Sequence, residues 1–315
     1  MSTEVFVACR MTPEFCEELG RRFTVHLSHG ARPALDAGQR PRVKALVTNG
    51  IRGAENALIE LFPNLQIISS LGIGLDAIDF DTVRARGLVV TNTPGVVADD
   101  VADLAMGMLI DRLRHVVDGE RYVRAGNWSG GPYPLARSLT GKRIGIVGLG
   151  AIGAAIALRA QAFKMQVKWN GPRAKPHAPY PYVPDLEQLA HESDVLVVAC
   201  SGGKSTRHLV DARILSALGP QGVLVNIARG SVVDIEAVIA ALRGGHLASA
   251  ALDVLEYQPQ VPPELLTLPN LLLTPHLGTN TRETRGTMGS MVIENLIAHF
   301  EGRRPPNLVI QEPRA

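Results

Sequence analysis

Three polar residues stand just beyond short apolar runs in the second half of this 315-residue chain: Arg229 after 222–227, Gln258 after 249–254 and His276 after 271–273. A guanidinium keeps its charge at every accessible pH and presents a planar fork of donors that matches a carboxylate. An imidazole titrates near neutrality, so it can hand over or accept a proton. Together these groups could hold a small anion and move a proton at it. The plainer alternatives are a surface salt bridge for Arg229, which fits poorly between a strand end and Gly230, and a structural role for His276.

Such side chains meet only if the runs before them are neighbouring strands. From residue 186 onward the pattern predicts helices at 186–191, 211–218 and 234–243, with strands at 194–199, 222–227, 249–254 and 271–273. Near-continuous apolar strands indicate a parallel sheet covered on both faces, and in such sheets ligands sit beyond the carboxyl ends of the strands. Arg229, Gln258 and His276 are therefore expected in one crevice. Upstream, a strand at 143–147 leads into Gly148-Leu149-Gly150-Ala151-Ile152-Gly153 and a helix reaching residue 163, then a strand at 166–170. In that setting Gly148 allows the tight turn, Gly150 lets backbone approach a pyrophosphate, and Gly153 lets helix pack on strand. Ala151 and Ile152 open the helix, whose free N–H groups and dipole favour an anion. A ligand-free glycine turn is the weaker reading.

The first hundred residues form a second alternating unit, with strands predicted at 4–8, 43–48, 65–69 and 88–91 and helices at 13–22 and 54–61. Its run Leu71-Gly72-Ile73-Gly74-Leu75-Asp76 leaves a strand through two glycines. Such a turn can converge backbone N–H groups on an anion or be a simple strand exit. Apolar spacing over 97–124 predicts one helix, roughly 40 Å long, able to reach from one domain to the next. Residues 126–140 read as a long surface loop, with Trp128 and Tyr133 suited to subunit contact, active-site lining or, for Trp128, core packing. The segment 288–300 is amphipathic and is expected to return to the first domain. The fold class is thus α/β, with two doubly wound parallel-sheet domains: 1–96 with 284–315, and 97–283.

Composition narrows the partners. Charges nearly balance at +2, which gives no reason to expect nucleic acid or a membrane surface. Cys9, Cys16 and Cys200 match no metal-ligand spacing and no disulfide framework, so neither a metal nor an oxidising compartment is expected. The N-terminus lacks a signal-peptide pattern and no apolar run has membrane-spanning length, which points to a cytoplasmic protein.

Gly148-x-Gly150-x-x-Gly153, Asn226-x-x-Arg229-Gly230-x-x-Val233-Asp234, Leu252-Asp253-Val254 with Pro259, and Pro275-His276 occur in the order and spacing of the D-isomer-specific 2-hydroxyacid dehydrogenases. The chain resembles this family over essentially its whole length. It looks most like the glyoxylate/hydroxypyruvate and hydroxyphenylpyruvate reductases, through Ala217-Leu218-Gly219-Pro220, Gly222 to Asn226 and Asn92-Thr93-Pro94. The resemblance implies a flavodoxin-like substrate domain and an NAD(P)-binding domain with the active site in the cleft, a homodimer, and a small 2-keto or 2-hydroxy acid as substrate. It further implies that Arg229 holds the carboxylate and keto oxygen, that the backbone N–H groups of Ile73 and Gly74 make a second grip, and that His276 donates the proton. Asp253, which by itself could equally be a capped strand end, would hold the nicotinamide carboxamide, and Ile227 would line the cofactor.

One residue departs from that pattern. Where the family has a glutamate beside the histidine, this chain has Gln258. A carboxylate keeps a proton on the imidazole; an amide orients the ring and adds no charge. Glu256 would be available to replace part of that charge if the strand continued through it. The formate dehydrogenases of the family also carry Gln here, which makes oxidation without proton shuttling the alternative chemistry; a nucleotide-linked corepressor-like protein is a third and weaker reading. For the cofactor, the sequence after Trp169 is Asn170-Gly171-Pro172-Arg173-Ala174-Lys175, and no acid occurs from Arg121 to Pro184. Without a carboxylate for the ribose 2′-OH, and with Arg173 and Lys175 beyond Gly171, NADPH is the expected cofactor.

Overall fold

The computed structural model describes residues 2–28 and 35–309, which form two compact units, one of 2–28, 35–97 and 281–309 and the other Ala98–Asn280.

The first unit carries β1 (Glu4–Val7), α1 (Pro13–Gly20), β2 (Thr24–Leu27), β3 (Val43–Asn49), α2 (Asn56–Glu60), β4 (Ile67–Leu71), α3 (Phe80–Ala85) and β5 (Val89–Thr91). Its strands are all parallel, in the order β2-β1-β3-β4-β5, which is the flavodoxin-like arrangement. Phe6, Leu46, Ile68 and Val90 bury one face with Leu58, Ile59, Phe62 and Val83. The C-terminal helix Arg282–Phe300 belongs to this unit. There is no room at Gly289 for a side chain, since a Cβ would lie 2.9 Å from the Phe15 ring of α1. The edge strand β2 and the short α3 escape the sequence pattern because their residues are half-exposed or few.

The second unit contains α4 (Ala98–Arg114), α5 (Val116–Arg124), β6 (Arg143–Val147), α6 (Ala151–Ala162), β7 (Gln166–Asn170), α7 (Leu186–His191), β8 (Val195–Val198), α8 (Ala212–Leu218), β9 (Val223–Asn226), α9 (Ile235–Arg243), β10 (Ser249–Leu252) and β11 (Leu271–Leu273). Its six parallel strands run β11-β10-β9-β8-β6-β7, so the order reverses between β6 and β8. The helices start where sequence chemistry dictates: the carboxylates of Asp185, Asp211 and Asp234 accept N–H groups in the first turns of α7, α8 and α9.

The single helix expected over 97–124 is two helices. Backbone at His115 turns left-handed, with φ 56°, between α4 and α5. The cause is the buried carboxylate of Asp111. One oxygen accepts from Arg112 Nε at 2.8 Å, and the other accepts the Val117 N–H at 2.7 Å in the first turn of α5. Asp118 reaches the same Arg112 guanidinium at 3.2 Å.

The loop after α5 is irregular apart from a 3₁₀ turn at Asn127–Gly130. Trp128 is 67% exposed there, so it fills no core.

Candidate active site

Within the second unit, β9, β10 and β11 are adjacent and in register, with Asn226 beside Leu252 and Leu252 beside Leu273. Their carboxyl ends deliver the expected residues to one edge. Asn226 shapes the first exit: its side chain accepts the Ala228 N–H at 3.1 Å and donates to the Arg229 carbonyl at 3.0 Å. The Arg229 guanidinium donates to the Ala228 carbonyl at 2.7 Å. Gly230 is needed because a Cβ would lie 2.0 Å from the Leu255 carbonyl carbon, so the β9 and β10 exits touch backbone to backbone.

His276 is in the left-handed region, with φ 56°. Asp253, almost fully buried, holds that conformation. Its carboxylate accepts the Thr274 hydroxyl at 2.6 Å and the N–H groups of Leu277 at 2.7 Å and Gly278 at 3.0 Å, while its carbonyl accepts the His276 N–H at 2.9 Å. Asp253 thus brackets the histidine turn on both sides. In the sequence Asp253 reads as a cofactor ligand or a capped strand end, and the bracket around the histidine goes beyond both; the clue available was Thr274, two residues before the histidine.

Gln258 Nε2 lies 2.8 Å from His276 Nδ1. The Leu255 N–H donates to Gln258 Oε1 at 3.3 Å, which turns the amide nitrogen toward the imidazole. Glu256 does not join them. The strand ends at Leu252, and Glu256 pairs instead with Arg207 and, at 3.4 Å, with His208. Burial pushes the Glu256 carboxyl up, but the Arg207 hydrogen bond, helped by His208, outweighs it and leaves the group below its usual range.

At the reversal between β6 and β8, Gly148 has φ 96° and a Cβ there would meet the Cys200 backbone at 2.7 Å. Gly153 packs against the Gly148 carbonyl, 2.0 Å from where a Cβ would stand. Gly150 differs from both. Its φ of −77° suits any residue and a Cβ would meet no protein atom within 4 Å, so only close approach by something else calls for glycine. It is also the N-cap of α6 and offers no side chain to the free N–H groups of Ala151 and Ile152. This cradle fits a dinucleotide pyrophosphate.

The segment after β7 is anchored at both ends. Trp169, fully buried, donates from Nε1 to the Tyr180 carbonyl at 3.0 Å, and the Tyr182 hydroxyl donates to the Gly171 carbonyl at 2.9 Å. Between those anchors Arg173 is exposed, and the Lys175 ammonium donates to the Leu149 carbonyl inside the glycine loop at 2.5 Å. Ile227 is buried at the β9 exit.

In the first unit, the exit of β4 is pinned by Thr93, whose hydroxyl accepts the Gly72 N–H at 2.8 Å and whose N–H donates to the Gly72 carbonyl at 3.1 Å. Gly72 has φ 102°, and Ile73, 42% exposed, and Gly74 follow it at the carboxyl end of the sheet.

A doubly wound parallel sheet with this glycine turn at its reversal point defines a dinucleotide-dependent enzyme class. Residues 106–278 match the model of the D-isomer specific 2-hydroxyacid dehydrogenase NAD binding domain. The chain is 44% identical to the glyoxylate/hydroxypyruvate reductase A HPR2 of Arabidopsis thaliana, over 96% of this chain and 97% of that protein. It is 42% identical to the hydroxyphenylpyruvate reductase of Plectranthus scutellarioides, over 95% and 96%. Among solved structures, the NADPH-dependent glyoxylate/hydroxypyruvate reductase of Sinorhizobium meliloti in complex with NADP and malonate matches with TM-score 0.93 at 36% identity, covering 100% of both chains. The chain belongs to the D-isomer-specific 2-hydroxyacid dehydrogenase family, in its glyoxylate/hydroxypyruvate and hydroxyphenylpyruvate reductase branch. It is an NAD(P)-dependent oxidoreductase acting on the CH–OH group of 2-hydroxy acids.

Proposed function

We propose that this enzyme reduces a small 2-keto acid of the glyoxylate or hydroxypyruvate type to the D-2-hydroxy acid with NADPH. The observation that carries the reading is the Gln258–His276 contact at the strand edge that also bears Arg229. When bound, the reduced nicotinamide supplies the hydride to the carbonyl carbon. Arg229 binds the substrate carboxylate and keto oxygen through its fork, withdrawing electron density from the carbonyl. The backbone N–H groups of Ile73 and Gly74 make the second carboxylate grip. His276 gives a proton to the oxygen as it becomes an alkoxide.

Gln258 sets the condition for that proton transfer. With its amide N–H aimed at Nδ1, the neutral ring is held with its proton on Nε2. An imidazolium carries a second proton on Nδ1, which faces an acceptor only when the amide turns over and gives up the 3.3 Å bond from Leu255. Reduction therefore depends on acid conditions more than with a glutamate at this position. Gly148, Gly150, Ala151, Ile152 and Gly153 bind the pyrophosphate, Ile227 and Asp253 the nicotinamide end, and Gly171, Arg173 and Lys175 the 2′-phosphate. The Asp253 Oδ2 that accepts from Gly278 keeps a lone pair for the carboxamide. The enzyme works as a homodimer in the cytoplasm, and exposed Trp128 and Leu135 suit a subunit contact.

Gln258 also supports a second reading, oxidation of formate without proton transfer. Assays of glyoxylate and hydroxypyruvate with NADPH and NADH, beside formate with NADP and NAD, separate the two. Reduction of the keto acids with NADPH supports the first, and formate oxidation alone overturns it.

A further inference from the structure

The first unit reverses its strand order between β1 and β3, and ligands of such sheets bind outside the carboxyl ends at that point. Cys9 follows β1 there, and the turn after β3 carries Arg52. That turn is rigid: Asn49 Oδ1 accepts the N–H groups of Ile51 at 3.0 Å and Arg52 at 2.8 Å. Gly53, with φ 61°, packs so closely that a Cβ would lie 2.1 Å from the Ala77 carbonyl oxygen. Arg285 arrives from the first turn of the C-terminal helix, set by Thr281, whose hydroxyl accepts the Thr284 N–H at 3.2 Å and whose carbonyl accepts the Arg285 N–H at 3.0 Å.

Both guanidinium groups act on Cys9. Burial pushes its thiol up to about 12, while Arg285 and Arg52 pull the other way. Their own partners are few. Among the described residues, the Arg52 guanidinium pairs with no carboxylate but the exposed Glu55, at 3.4 Å. The half-buried Arg285 side chain has no hydrogen bond or ion pair among the described residues, whereas Arg86, Arg112, Arg143 and Arg159 each bond a carbonyl or carboxylate. A half-buried guanidinium with five donors calls for an oxyanion.

We propose that Arg52 and Arg285 form a second oxyanion subsite at the β1/β3 exit of the first unit, which takes the far carboxylate of a dicarboxylic 2-keto acid. The proposal rests on the reading that Ile73 and Gly74 grip the keto-acid end. β4 neighbours β3, and at about 4.8 Å per strand spacing the β1/β3 crevice is roughly 7 Å from the β4 exit, a span bridged by about five to seven carbons.

The test compares 2-ketoadipate with 2-ketohexanoate, the same chain length with and without the far carboxylate, with glyoxylate as the reference keto acid. The wild type is expected to favour 2-ketoadipate by about 10-fold in kcat/KM. Arg285→Met should remove that preference mainly through KM, and Arg285→Lys should restore part of it. No wild-type preference, or an unchanged preference in Arg285→Met with native unfolding behaviour, overturns the subsite. If glyoxylate and both longer acids fail as substrates, it is the keto-acid reading that has failed. Calorimetric titration of adipate then decides the subsite: binding that Arg285→Met abolishes supports it, and no binding overturns it.

Discussion

The Gln258 amide nitrogen and His276 Nδ1 stand 2.8 Å apart, with the amide oriented by the Leu255 N–H. This contact makes the pH dependence of reduction the most telling property of the enzyme. A carboxylate in place of the amide stabilises the imidazolium, so the rate of reduction should persist to higher pH. Gln258→Glu is expected to move the pH at which kcat/KM falls upward by about one unit or more. An unchanged pH profile would show that residue 258 does not tune the histidine. Glu256 is no substitute, since Arg207 and His208 hold it.

Gly150 separates folding from binding. Because its φ is ordinary and nothing in the protein is near its missing Cβ, Gly150→Ala should unfold at the wild-type temperature. Dinucleotide affinity should fall by about 10-fold or more, since the methyl group enters the space a pyrophosphate needs. Titration by fluorescence, beside thermal unfolding, reads both. Undiminished affinity would mean that the pyrophosphate lies elsewhere.

Arg173 projects from a segment whose two ends are fixed by Trp169 and Tyr182, and Lys175 is already tied to the glycine loop through Leu149. Arg173→Ala should raise KM for NADPH by about 10-fold and leave KM for NADH unchanged. Equal effects on both cofactors would remove Arg173 from the 2′-phosphate site.

The buried Asp111–Arg112 pair should dominate the stability of the α4–α5 corner. Asp111→Ala strands the guanidinium with Asp118 alone and uncaps α5, a loss of about 3 kcal/mol. Denaturant unfolding measures it. A change below about 1 kcal/mol would place the stability of the corner in its apolar contacts.

The strand ends that carry Arg229, Gln258 and His276 were legible because buried parallel strands write long apolar runs, and their helices begin at aspartates. The glycine turn was legible for the same reason. What escaped was long-range pairing. The break at His115 depends on a carboxylate bonding residues on both sides of it, which apolar spacing cannot register. The bracket that Asp253 makes around the histidine joins residues 21 to 25 positions apart. Glu256 was expected beside His276 only on the premise that β10 continued, and the chain turns away after Leu252.

The central claim is NADPH-dependent reduction of a small 2-keto acid. Its most direct test is initial-rate oxidation of NADPH by glyoxylate and hydroxypyruvate, with NADH in parallel and chiral analysis of the hydroxypyruvate product. The account predicts turnover with kcat/KM about 10-fold or more higher for NADPH than for NADH, and a D-configured hydroxy acid. Equal use of NADH, an L-configured product, or no turnover of either keto acid would contradict it.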